Sequence, residues 1–228
     1  MKTWLLLVLV LAGLCAPRAM AGSVDLPFQV GGAYQVPVRS LKEARFSAMV
    51  RQQYDYSCGA AAVSTLLTHH YRFPVTEQTV FEGMFALGDQ DKIRREGFSL
   101  LDMKRYIDTQ GFESNGFEAP LDKLISVGVP AIALINDNGY NHFVVIKGIR
   151  GERMLIGDPS GGTRRMMRKK FESIWVNQIL FVITTHENIA AFNQLSDWRV
   201  AADAPMGSAI SRESLGYLVL PKLGSSDF

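Results

Sequence analysis

Cysteine is almost missing from this chain: among 228 residues there are two, Cys15 and Cys58. That excludes a disulfide framework as the source of stability. Like charges never gather into a long run, and 20% of the residues are charged against 47% hydrophobic. Disorder is therefore not expected, nor is a nucleic-acid partner. The short basic stretch Arg164-Arg165-Met166-Met167-Arg168-Lys169-Lys170 reads as a solvated loop or a first helical turn. After Leu14 no apolar run approaches the length of a membrane span. What is there suffices for one well-packed domain of ordinary composition.

The start reads as a cleavable export signal. Met1-Lys2 supplies a positive end, Trp4 to Leu14 an apolar core, and Ala19-Met20-Ala21 a small-x-small cleavage pattern. Residues 1–21 are thus expected to be removed, leaving Gly22 first and exporting the protein to an oxidising compartment. A lipid anchor on Cys15 is the lesser alternative, because Leu14 before it is not small. Without Lys2 and Arg18 the chain holds 22 basic and 22 acidic residues, so no net charge draws it to nucleic acid or anionic lipid. It also holds one cysteine. An unpaired thiol in an oxidising compartment is either a buried core residue or a working one.

Residues 22–47, with FQVGGAYQVPV, read as an N-terminal extension with an edge strand; Gly31-Gly32 reads as a flexible turn rather than a self-processing site. The spacing of Ala62, Val63, Leu66 and Leu67 predicts a helix over 59–71. Further helices are expected over 76–87 with Thr76 as N-cap, over 99–110 with Ser99 and Asp102 as an approximate capping box, and over 120–127. Then strands are expected at 129–135, 142–149, 153–158 and 178–185, with a short helix at 169–175. Helices first and a mostly antiparallel sheet after them argue for an α+β fold. The main folded body is expected at 48–185. Residues 186–228 form a C-terminal extension, with a helix over 188–195 and no evident role.

A thiol nucleophile needs a lowered pKa, a base and oxyanion donors. Cys58 begins the predicted helix, where unpaired N–H groups and the helix dipole favour a thiolate. Gly59 next to it reads as room for a substrate backbone. Of four histidines, His69 and His70 lie at the far end of that helix, roughly 17 Å away, and read as exposed. His186 reads as a surface residue. His142 opens a strand in NHFVVIKG and is the best candidate base. A hairpin turning at Arg150-Gly151 sets His142 opposite position 159, within one residue. A one-residue bulge would bring it to the same face as Asp158. Gln52 and Gln53 are both candidate oxyanion donors, beside the Cys58 N–H.

Gln52 six residues before Cys58-Gly59, then GYNHFVVIKG, then IGDPSGG, resemble the papain-like bacteriocin-processing peptidases, which remove leader peptides after a double glycine. The resemblance spans roughly residues 48–184. It implies a papain-like fold with Cys58 as nucleophile, His142 as base, Asp158 as orienting acid and Gln52 as oxyanion donor. Ser57 stands where many members carry an acidic residue, no transporter segment follows, and a signal peptide leads. The chain is therefore most similar to stand-alone periplasmic members that serve functional-amyloid secretion.

The expected function is a periplasmic cysteine endopeptidase cutting an exported protein or leader peptide after small residues such as Gly-Gly. The expected partner is a peptide or protein substrate, such as an amyloid subunit or secretion component. No cofactor or metal is expected, nor ATP bound by this chain. Two rival readings are a silent peptidase-like adaptor or chaperone of an export machine, and a cell-wall amidase or transglutaminase-like acyltransferase. The latter tends to set its histidine nearer the cysteine than the 84 positions found here.

Overall fold

The computed structural model describes residues 23–27, 33–37, 40–54 and 56–200. The expected signal peptide with Cys15, the Gly31-Gly32 pair and the stretch Leu215-Gly216-Tyr217-Leu218-Val219-Leu220 lie outside them. The chain divides into two compact units, residues 1–44 and 45–228. In the first, strands β1 (Ser23–Pro27) and β2 (Ala33–Pro37) pair antiparallel with each other. They form a two-stranded sheet of their own rather than an edge of the larger one. Helix α1 (Leu41–Arg45) follows.

The second unit begins its regular structure with α2 (Cys58–Thr65), which runs on into a π-helical turn, Leu66–His70. Then come α3 (Glu77–Leu87), α4 (Gln90–Glu96) and α5 (Leu100–Thr109). The N-caps are side-chain oxygens: Thr76 accepts from the Thr79 N–H, Asp89 from Lys92, and Ser99 from Asp102 in a full capping box. Strand β3 (Ser114–Glu118) and α6 (Asp122–Val127) lead into β4 (Ala131–Asp137), β5 (Tyr140–Arg150), β6 (Arg153–Asp158) and β7 (Gly162–Met167). Helix α7 (Arg168–Ile174), strand β8 (Ile179–Ile183), a 3-10 turn (Glu187–Ile189) and α8 (Leu195–Val200) complete the described chain.

Six strands form one antiparallel sheet in the order β3-β8-β4-β5-β6-β7. Its period-two alternation feeds two cores. Ile132, Phe143, Val145, Phe181 and Ile183 join Val63, Leu66, Met84 and Met103 of the helices on one side. Ala133, Ile135, Val144, Ile146 and Leu180 join Leu124 of α6 and Phe171 of α7 on the other. Helices thus cover both faces, and no helix among the described residues is long and apolar enough to cross a membrane.

Two strands escaped the sequence reading. β3 is a polar edge strand with only Ser114 buried. β7 takes in the first part of the basic stretch, Arg164 to Met167, and its arginines have partners that only tertiary structure supplies; Arg168 to Lys170 form the first turn of α7, one of the two readings the sequence offers. The helix expected over 188–195 is absent: Asn193 adopts a left-handed φ of 57°, which a continuous helix cannot accommodate. Residues 190–193 instead lie along the sheet. The Asn193 N–H donates to Lys147 O at 2.9 Å, its Oδ1 accepts from Ile149 N–H at 2.8 Å, and Ala191 N–H donates to His70 O at 2.9 Å.

Candidate active site

Cys58 is the first residue of α2, and its helix begins without a side-chain cap. Ser57 has the chemistry of a cap but is used elsewhere. Its Oγ donates to Tyr54 O at 2.9 Å and accepts from Tyr54 N–H at 3.1 Å, closing the turn that precedes the helix. The helix N-terminus is left with its unpaired N–H groups around the thiol. Cys58 is 9% exposed and contributes to the wall of a cleft of about 700 Å³. Tyr56, Phe98, Leu134, Tyr140 and Phe143 line the same cleft. The reason for Gly59 is different from the one the sequence suggests. A methyl group there would lie 2.8 Å from Met103 Cε and 3.2 Å from Phe98 Cβ. Gly59 lets α2 pack closely on α5; it does not open the cleft.

His142 and Asp158 come together through a β-bulge. Between Arg150 and Gly148 the β5–β6 register is one residue out of step with the pairs Ile146–Ile156 and Val145–Gly157, and Lys147 is the extra residue. Beyond the bulge His142 and Asp158 share a face. His142 Nε2 donates to Asp158 Oδ1 at 2.9 Å, with the two side chains 7% and 9% exposed. The other ring nitrogen, Nδ1, is buried and has no hydrogen-bond partner. Cys58 lies beside this ring, close enough to raise its proton affinity. Burial lowers the proton affinity of His142; the hydrogen bond to Asp158 and the adjacent Cys58 outweigh it, and the pKa rises to about 9.

The carboxylate of Asp158 is held from several directions. Oδ1 also accepts from Ser160 N–H at 2.9 Å, Ser160 Oγ at 2.7 Å and Gly161 N–H at 3.2 Å. Oδ2 accepts from Arg164 Nε at 3.3 Å and Nη2 at 3.1 Å. Burial raises the pKa of this carboxyl, but its bonds from His142 and Ser160 carry it well below the ordinary carboxylate range. Neither Ser160 nor Arg164 stood out in the sequence. An Asp-Pro-Ser turn is the signal that points to Ser160. For Arg164 the signal is its place two residues past Gly162, the partner of Asp158 across β6–β7.

Gln52 lies in a stretch pinned from three sides. Val50 N–H donates to Thr65 Oγ1 at 3.0 Å, Gln52 N–H to Pro159 O at 3.1 Å, and Gln53 N–H to Glu77 Oε1 at 3.4 Å. This brings the Gln52 backbone beside the turn that carries Asp158. The Gln52 side chain is half-buried, with Nε2 donating to Tyr54 O at 3.2 Å and Oε1 enclosed without a partner. Gln53 is exposed.

His69 and His70 are not the exposed residues the sequence suggests. The π-helical turn swings His70 inward, where it is 1% exposed and its Nδ1 meets Ala191 O at 2.5 Å. Burial, with Lys147 nearby, pushes its pKa down to about 4. His69 is half-buried and lowered for the same reasons. His186 is exposed, its ring 5.0 Å from that of Phe112.

A helical half whose leading cysteine faces a cleft, packed on an antiparallel sheet that presents a histidine–carboxylate pair, defines the class of papain-like cysteine peptidases. More narrowly, the chain belongs to the Peptidase C39 family, which it matches over residues 47–187. Two relatives bear the name probable functional amyloid protease FapD. The one from Pseudomonas aeruginosa is 36% identical over 218 residues, 90% of this chain and 95% of the relative. The one from Pseudomonas fluorescens is 39% identical over 183 residues, 80% of this chain and 79% of the relative. Among solved structures, the peptidase domain of Streptococcus ComA, a bi-functional ABC transporter, superposes with a TM-score of 0.51 at 20% identity, covering 60% of this chain and 96% of that one. That likeness is one of fold.

Proposed function

We propose that this cysteine peptidase acts in the periplasm on an exported protein, cutting after small residues such as Gly-Gly, in support of a functional-amyloid secretion system. The observation that carries the mechanism is the buried His142–Asp158 pair beside Cys58 at an uncapped helix N-terminus. His142 carries its positive charge at neutral pH, and a thiolate next to it completes an ion pair. The sulfur attacks the scissile carbonyl carbon. The C–N bond breaks as His142 passes its proton to the leaving amine, and His142 then takes a proton from the water that hydrolyses the thioester. Asp158 holds the ring. Gln52 Nε2 bears two hydrogens and Tyr54 O engages one, so the second is available to the oxyanion with the Cys58 N–H.

The preference for small residues is supported by the aromatic rings of Tyr56, Phe98 and Phe143 that share the cleft with Cys58. The amyloid setting is supported by the two FapD relatives, and the compartment by the signal-like residues 1–21. A peptide reporter with a central Gly-Gly is expected to be cut by the wild type and left intact by Cys58→Ala, while a Leu-Leu reporter survives both. Equal cleavage of Gly-Gly by Cys58→Ala would sink the mechanism, and equal cleavage of both reporters by the wild type would sink the specificity.

A further inference from the structure

We propose that Arg164 is a positioning residue of this site: by engaging Oδ2 of Asp158 it leaves Oδ1 to His142 and limits how tightly the carboxylate retains the imidazolium proton. The inference rests on the roles proposed above for His142 and Asp158. Its basis is geometric. Asp158 faces Gly162 across the β6–β7 ladder, and Arg164 lies two residues further on, hence on the same face. Two donors of the guanidinium, Nε and Nη2, converge on the one oxygen that His142 does not use. The ion pair measures 3.1 Å, with the Arg164 side chain 32% exposed and that of Asp158 9% exposed.

The chemistry explains why such a partner is useful. A histidine must hold its proton to stabilise a thiolate, yet release it to a leaving amine. A buried carboxylate answering to the imidazolium alone favours the first and hinders the second. A guanidinium on the far oxygen draws part of that charge away. The groups facing the pair are Cys58 from α2, Arg164 from β7, Ser160 and Gly161 from the turn, and Tyr140 from β5 with its ring 6.0 Å from that of His142. Among the side chains bonded to Asp158, the charged partner other than His142 itself is the guanidinium of Arg164. The three donors from Ser160 and Gly161 to Oδ1 keep the carboxylate in place when Arg164 is replaced, so the expected effect is electrostatic rather than a collapse of the site.

The test is an NMR titration of His142 in the Cys58→Ser background, which needs no turnover and so reads independently of whether any peptide is cut. Arg164→Gln is expected to raise the His142 midpoint by roughly 0.5 to 1 unit, and Arg164→Lys to keep it within about 0.3 unit of the parent. With Cys58 present, the alkaline limb of kcat/KM for Arg164→Gln moves up by the same amount, while its plateau falls several-fold. A Gln variant whose midpoint stays or falls overturns the proposal. So does a Lys variant whose midpoint moves, and that arm decides the matter even where the Gln variant does not fold.

Discussion

His142 Nε2 lies 2.9 Å from Asp158 Oδ1, and the bond exists because Lys147 bulges from β5 five residues later. Without that extra residue the two side chains fall on opposite faces of the sheet. The bond helps raise the His142 pKa to about 9.

Replacing Asp158 with Asn retains an acceptor but removes the charge. We expect kcat/KM to fall by roughly 10²-fold. The alkaline limb is expected to move from about pH 9 toward the ordinary histidine value of 6.5. A variant with an unmoved limb means that Asp158 does not set the proton affinity of His142. The linkage sign is that of a raised base: the stability from this pair is full below about pH 6.5 and is lost as pH rises through 9.

His70 acts on the other side of neutrality. Its folded pKa of about 4 lies below the unfolded value, so its contribution is full above about pH 6.5 and is lost as pH falls toward 4. The loss is on the order of 3 kcal/mol. His70→Asn keeps a donor toward Ala191 O and removes the titration. Urea midpoints at pH 7 and 4.5 are expected to differ clearly less in the variant than in the wild type. An equal drop in both means that the acid sensitivity lies elsewhere.

Lys147 Nζ pairs with Asp197 Oδ2 at 2.8 Å while its side chain is wholly buried, and it also donates to Ala48 O at 2.7 Å. It thereby joins α8 of the C-terminal extension to the strand of His142 and to the stretch leading to Gln52. Asp197→Ala leaves a buried ammonium unpaired and is expected to cost about 3 to 5 kcal/mol, read from denaturant unfolding. The double variant Lys147→Met, Asp197→Leu is expected to recover most of that. A single variant as stable as the wild type means that the extension is not anchored through this pair.

The sequence was most readable where local chemistry decides structure. Thr76 and Ser99 announce their helices as capping residues, and Gly111, with a φ of 83°, ends α5 as a left-handed cap residue does. The NHFVVIKG and RMLIGD runs announce a hairpin. What stayed hidden depends on distant partners. Arg164 and Arg165 look like solvated charge until Asp158 and the carbonyl of Trp198 are placed against them. His70 looks like an exposed helix end until the π-helical turn rotates it under residues 190–193. The motif for Cys58, His142 and Asp158 was visible, but the reason for Gly59 was not, because Met103 is 44 positions away.

The central claim is that Cys58, though 9% exposed, is a working thiol beside His142 rather than a core residue. Protein lacking residues 1–21 contains this one cysteine. The most direct measurement is its alkylation rate by iodoacetamide in the folded state at pH 7, followed by intact mass. We predict one modification per chain, with the rate at least about tenfold lower in His142→Ala. A native protein that takes up label only after denaturation, or at the same rate in His142→Ala, contradicts the account.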